Sequence, residues 1–70
     1  MIEVFKTNIN SIHQSTEIRK EINFLFPEAI VFIDINDCDK ILKVKSTPEV
    51  IEKIENLIIS KGYFCEALAN

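Results

Sequence analysis

The hydrophobic positions in the first third of the chain follow two different periods. Residues 2–7, IEVFKT, are rich in β-branched and aromatic side chains and predict a first strand. After Ser11 the period changes, because Ile18, Ile22 and Leu25 recur at the spacing of one helix face. Pro27 closes this helix, since proline has no amide proton and its ring clashes with the preceding turn.

The middle of the chain has the pattern of two strands joined by a tight turn. Residues 29–35, AIVFIDI, are apolar apart from Asp34, and residues 40–46, KILKVKS, contain Ile41, Leu42 and Val44. Residues 36–39, NDCD, lie between them and are typical turn formers. The pattern therefore predicts a second and a third strand.

A second helix and a fourth strand follow. Thr47, Pro48 and Glu49 supply a capping hydroxyl, a proline at the first helical position and an acid in the first turn. Gly62 ends the helix, and residues 63–68, YFCEAL, predict a strand before a short tail of Ala69 and Asn70. The predicted buried stripe of the helix comprises Val50, Ile51, Ile54, Leu57 and Ile58.

The order of these elements, βαββαβ, predicts an α+β fold. Right-handed crossovers turn this order into a ferredoxin-like sandwich, with an antiparallel sheet of strand order 4-1-3-2 and both helices on one face. We expect a single domain over residues 1–70, because so short a chain cannot divide its apolar surface between two cores.

The composition narrows the range of partners. A net charge of −3 and a pI near 5.0 disfavour nucleic acid and anionic membranes, which attract basic surfaces. No apolar segment approaches membrane-spanning length, and no basic region precedes an apolar run at the start. Cys38 and Cys65 are far apart and lack CxxC spacing, which excludes a disulfide framework or zinc ribbon and favours a reducing cytoplasm.

Two segments, NINSIHQS (8–15) and SKGYFCEAL (60–68), carry a family resemblance. They resemble the heavy-metal-associated domain, the fold of small copper chaperones and of the N-terminal modules of metal-transporting ATPases. That family typically reads G-M-T-C-x-x-C at the first loop and Gly-Tyr ahead of the last strand. On this alignment Ile9 takes the Met place, Ser11 and Gln14 take the two Cys places, Ile18 and Ile22 are the helix hydrophobics, and Gly62-Tyr63 is the final pair.

The resemblance implies a metal loop whose thiols have been lost. Monovalent copper prefers thiolates, whereas Ser11 and Gln14 offer neutral, hard oxygens. The same two residues read S-x-x-Q, a capping box that satisfies two amides at a helix start. We therefore expect no resident cofactor, although a metal ion held by other ligands stays open.

His13 and Cys38 are the alternative metal ligands. The predicted topology puts the loop of His13 and the turn of Cys38 at the same end of the domain, yet two ligands without a third are also compatible with exposed polar residues. Cys65 is expected to face the helices as a small core residue, too far from Cys38 for a disulfide.

One face of the predicted sheet is unusually apolar. The face toward the helices is assigned Phe5, Val31, Ile33, Ile35, Leu42, Val44 and Cys65. The opposite face then carries Ile2, Val4, Ile30, Phe32, Ile41, Phe64 and Leu68, with Asp34, Glu66, Lys43 and Lys45 expected as a charged rim. A solvated sheet face normally alternates to polar residues, so this face is predicted to be covered by a second copy or another protein.

Three functions remain as hypotheses. The first is a non-enzymatic interaction module that self-associates or binds a protein through Val4, Ile30, Phe32, Ile41 and Phe64. The second is metal binding or trafficking through His13 and Cys38. The third, an RNA platform, requires aromatic residues on strands 1 and 3, and KILKVKS has none. An enzyme is not expected, because no Ser-His-Asp order, glycine-rich loop or pair of buried carboxylates is visible.

Overall fold

The computed structural model describes residues 1–68 of the 70-residue chain. Within this range the elements are β1 (Ile2–Thr7), α1 (Ile12–Leu25), β2 (Ile30–Asp34), β3 (Ile41–Lys45), α2 (Pro48–Ser60) and β4 (Cys65–Ala67). The predicted order of strands and helices is confirmed, with β2, β3 and β4 shorter than the pattern suggested. The tail predicted for Ala69 and Asn70 lies outside the described residues.

The four strands found in residues 1–68 form one antiparallel sheet of order β2-β3-β1-β4, which reads 4-1-3-2 from the opposite edge. The central strands β1 and β3 pair from Ile2 opposite Lys45 to Lys6 opposite Ile41. Strand β4 pairs with β1 over three positions. Strands β2 and β4 are therefore the two edges of the sheet.

Both helices pack on the same face of this sheet. The alternating strand residues Phe5, Leu42 and Val44 are almost completely buried, because every second side chain of a strand points to one face. They belong to one cluster with residues of both helices, so no helix formed by residues 1–68 lies on the opposite face, which we call the open face. The buried cluster comprises Phe5, Ile9, Ile18, Ile22, Ala29, Leu42, Val44, Ile51, Ile54 and Ile58.

The ends of the helices follow the signals in the sequence. The amide of Phe26, one residue after α1, donates to the carbonyl of Ile22 at 2.7 Å, and the chain then turns through Pro27. The hydroxyl of Thr47 accepts a hydrogen bond of 3.3 Å from the amide of Val50 and caps α2. Gly62 follows α2 with a φ of +93°, a left-handed conformation that glycine adopts without steric cost.

Candidate functional site

The segment that resembles a metal loop is a helix cap in this structure. Ser11 is the N-cap of α1, and its hydroxyl accepts a hydrogen bond of 3.1 Å from the amide of Gln14. The Oε1 atom of Gln14 accepts one of 3.0 Å from the amide of Asn10. The predicted cap is thus confirmed, except that Gln14 binds the amide before Ser11 and not that of Ser11 itself. Both side chains serve the backbone at the helix start.

The loop after β1 is tied to the turn between β2 and β3. The amide of Thr7 donates a hydrogen bond of 3.1 Å to the carbonyl of Asp39. The hydroxyl of Thr7 donates another, of 2.6 Å, to the carbonyl of Lys40. The same hydroxyl accepts from the amide of Ile9 at 3.1 Å. This confirms that the two loops lie at one end of the domain. Lys40 has a φ of 51°, which is uncommon for a residue with a side chain and which no feature of the sequence indicated.

The turn of Cys38 gathers carboxylates around the thiol. The ligand atoms of Asp37, Cys38 and Asp39 all lie within 4.8 Å of one another. The carboxylate of Asp37 accepts a hydrogen bond of 2.8 Å from the amide of Asp39, whose own carboxylate lies 3.7 Å from the ammonium of Lys6. His13 is exposed in the first turn of α1 and is not part of this group. The acids are thus engaged in shaping the turn.

Cys65 lies where the strand alternation predicted, on the helix side of β4. The side chain is half-buried against the core, and burial raises the pKa of its thiol to about 12, with a further contribution from the carboxylate of Glu55. Cys38 and Cys65 are both free thiols, as expected from their separation. A buried, protonated thiol is a poor nucleophile and a poor metal ligand.

The open face contains a groove of about 670 Å³. Three of its apolar side chains are well exposed, with Ile30 at 64%, Phe32 at 57% and Ile2 at 52% of their maximum, while Val4 and Ile41 are half-buried. A sheet face in water normally presents polar side chains at such positions. The complete lining consists of Ile2, Val4, Ile30, Phe32, Asp34, Asp37, Ile41, Lys43 and Lys45.

The register places two lysines of the central strand β3 on this face. Two rows of opposed residues cross the sheet: Phe32–Lys43–Val4 and, next to it, Ile30–Lys45–Ile2. Each lysine thus stands between apolar residues of β2 and β1. The expectation that Lys43 forms part of a charged rim is wrong, because Lys43 lies in the middle row on the central strand β3, while Lys45 lies in the end row of the face.

The other predicted residues of the open face lie toward its far end. Ile41 lines the groove in a third row, with Asp34 on one side and Lys6 on the other. Phe64 is 47% exposed but does not line the groove. Its amide donates to the side chain of Asn8 at 2.8 Å, which holds it beside the end of β1. The apolar surface is therefore concentrated on β1, β2 and β3.

No protein-family model matches the chain, and no curated protein or solved structure is significantly similar to it. The likeness to the heavy-metal-associated domain accordingly depends on the residues quoted from the sequence. Neither of the helices in residues 1–68 has the length and apolar content to cross a membrane.

Proposed function

We propose that this protein is a non-enzymatic interaction module that self-associates through its open face. In this proposal the chain is a ferredoxin-like relative of the heavy-metal-associated domain whose thiol pair has been replaced by the capping residues Ser11 and Gln14. It works in a reducing cytoplasm, which suits two free thiols. The single observation that carries the proposal is the apolar groove on the sheet face that no helix covers.

The energy available from this face is of the size that association requires. Burying a large apolar side chain completely contributes roughly 1.5–3 kcal/mol. Ile2, Ile30 and Phe32 are each about half exposed, so each copy contributes roughly half of that value per residue. Summed over two copies and the remaining apolar lining, this is comparable with the several kcal/mol of rotational and translational freedom lost on association.

The alternatives have less support from the arrangement of the residues. The group around Cys38 contains two carboxylates and not His13, a poor combination for a soft metal ion. The exposed aromatic residues of the open face are Phe32, on the edge strand β2, and Phe64, beside the edge strand β4. An RNA-binding sheet of this type places its aromatic residues on the two central strands. Among the described residues, the groove lining contains no hydroxyl, thiol or imidazole, and its only ionisable groups are the carboxylates of Asp34 and Asp37 and the amines of Lys43 and Lys45.

The test is the substitution Phe32→Glu followed by sedimentation across a range of concentrations. We expect the parent to form a dimer at micromolar concentrations and Phe32→Glu to remain a folded monomer, because a carboxylate would be buried at the interface. Phe24→Glu is the matched control, since Phe24 is 85% exposed on α1, away from the open face. A parent that stays monomeric at high micromolar concentration contradicts the proposal, as does a control that dissociates equally.

A further inference from the structure

The charges on the open face are separated along the strands. The rows of Lys43 and Lys45 lie toward the start of β1, and we call this part the lysine end. Neither lysine forms an ion pair within residues 1–68, where the ion pairs are Lys6 with Asp39 and Lys61 with Glu21. Glu28 lies in an adjoining depression with Lys45 but is not paired with it. The lysine end therefore carries uncompensated positive charge between apolar side chains.

The opposite end of the same face is acidic. Asp34 and Asp37 line the groove there, and we call this part the aspartate end. The third cross-strand row also ends in Glu66, which lies opposite Lys6. The positive charge of Lys6 is offset by Asp39 at 3.7 Å. Successive rows of one face are roughly 7 Å apart, so the two ends are close enough to belong to one interface.

Self-association of a face with this charge pattern permits one favourable orientation. If the two-fold axis ran parallel to the strands, lysine end would meet lysine end. If the axis lies in the interface at right angles to the strands, the strand direction is reversed and each lysine end meets an aspartate end. We infer that two copies pair in this second, antiparallel way, with Lys43 and Lys45 of one copy facing Asp34 and Asp37 of the other.

This inference rests on the proposed function and specifies its partner and orientation. The domain measures 28 × 26 × 19 Å, so a flat contact on any one of its faces is at most about the ~800 Å² that a standard interface buries on each partner. An interface of that size benefits from charge complementarity, which fixes the register between partners and excludes the parallel arrangement.

Neutralising the lysines tests the orientation through the sign of the effect. In the antiparallel pair, Lys43→Gln with Lys45→Gln removes attractive contacts from both copies and should weaken dimerisation roughly tenfold or more. In a parallel pair the same change would relieve repulsion and tighten the dimer. Lys20→Gln with Lys53→Gln is the matched control, because it changes the net charge equally at exposed positions of α1 and α2.

Neutralising Asp34 and Asp37 tests the other half of the proposed charge pairing and leaves the turn between β2 and β3 intact. The carboxylate of Asp34 accepts hydrogen bonds of 3.0 and 3.3 Å from the amides of Asn36 and Asp37, and an asparagine retains that acceptor. Asp34→Asn with Asp37→Asn should therefore weaken the antiparallel dimer as the lysine changes do. Once the lysines are neutralised, the acid substitutions should have little additional effect, since the attractive contacts are already lost.

A distance measurement provides a second, independent test. Cys38 is exposed in the turn at the aspartate end, and the substitution Cys65→Ser leaves it as the one thiol of the chain, so a spin label can be attached there selectively. In the antiparallel dimer the two labels lie at opposite ends, roughly 20 Å or more apart, whereas a parallel dimer brings them within roughly 15 Å.

The outcomes separate the inference from the function on which it rests. A weaker dimer on neutralising either charge set, with widely separated labels, supports the antiparallel pair. A dimer that tightens, is unchanged relative to the Lys20 and Lys53 control, or brings the labels close together overturns the orientation while self-association stands. A parent protein that is monomeric overturns both.

Discussion

The hydroxyl of Thr7 donates a hydrogen bond of 2.6 Å to the carbonyl of Lys40, 33 residues further along the chain. This contact joins the end of β1 to the turn between β2 and β3, and it supports Lys40 in its left-handed conformation. Thr7 is only 5% exposed, and its hydroxyl also accepts from the amide of Ile9, which is fully buried. One small polar side chain therefore holds two loops together inside an apolar environment.

Replacing this hydroxyl is expected to destabilise the fold. Thr7→Val leaves the amide of Ile9 and the carbonyl of Lys40 without their side-chain partner, and a buried unsatisfied group costs about 1–3 kcal/mol. Thr7→Ser retains the hydroxyl and should lose much less. The midpoint of denaturant unfolding measures both. A larger loss in Thr7→Ser than in Thr7→Val would mean that the methyl group, not the hydrogen bonds, provides the stability.

The cap of α1 makes a second prediction. Ser11→Ala should lower the free energy of unfolding by about 1 kcal/mol, because the amide of Gln14 loses its acceptor. Ser11→Asp keeps an oxygen at that position and should remain close to the parent, while Thr47→Ala should cost a similar amount at α2. None of these changes should affect dimerisation. If Ser11→Ala abolished a ligand-binding activity and left stability unchanged, the loop would be a binding site instead of a cap.

The family resemblance can be tested by rebuilding the thiol pair. The parent should not retain monovalent copper against a chromophoric chelator, because positions 11 and 14 carry no thiolate. Ser11→Cys with Gln14→Cys should bind one copper ion per chain, whereas Ser11→Cys alone should bind much more weakly. A folded double variant without copper binding would contradict the alignment. A parent that held copper even as Cys38→Ser would contradict the proposed loss of the metal site.

The burial of the Cys65 thiol leads us to expect that the protein becomes less stable at alkaline pH. Its pKa rises from an ordinary value of 9.0 to about 12 in the folded protein, mainly through burial. Below pH 9 the thiol is protonated in both the folded and unfolded states, so it does not affect their balance. Between pH 9 and 12 the unfolded chain loses a proton that the folded chain keeps, and stability falls.

Urea unfolding across this pH range measures the effect. Cys65→Ser should lack this part of the alkaline loss, while Cys38→Ser, which removes the exposed thiol, should retain it. All other side chains are the same in the two variants, so the comparison isolates Cys65. Parallel curves for the two variants would show that the thiol of Cys65 is more accessible than its packing indicates.

Most of the secondary structure could be predicted because its signals are local. The period of Ile18, Ile22 and Leu25, the residues Thr47 and Pro48, and the glycine at position 62 act over a few neighbouring residues. The strand alternation likewise assigned Phe5, Leu42 and Val44 to the core, where they are buried. These features follow from backbone geometry and from the burial of apolar side chains. Both are visible in the order of apolar and polar residues along the sequence.

Only the tertiary structure showed which side chains of the open face are neighbours. Alternation alone assigned Lys43 and Lys45 to that face, but only the pairing of β3 with β2 and β1 showed that each lysine lies between apolar residues. The same holds for the bond from Thr7 to Lys40 and for the group of Asp37, Cys38 and Asp39 that does not include His13. The sequence by itself determined the order of the helices and strands and the strand side chains that point into the core. The fold decided which side chains are neighbours, because neighbours across a sheet come from distant parts of the chain and are set by register.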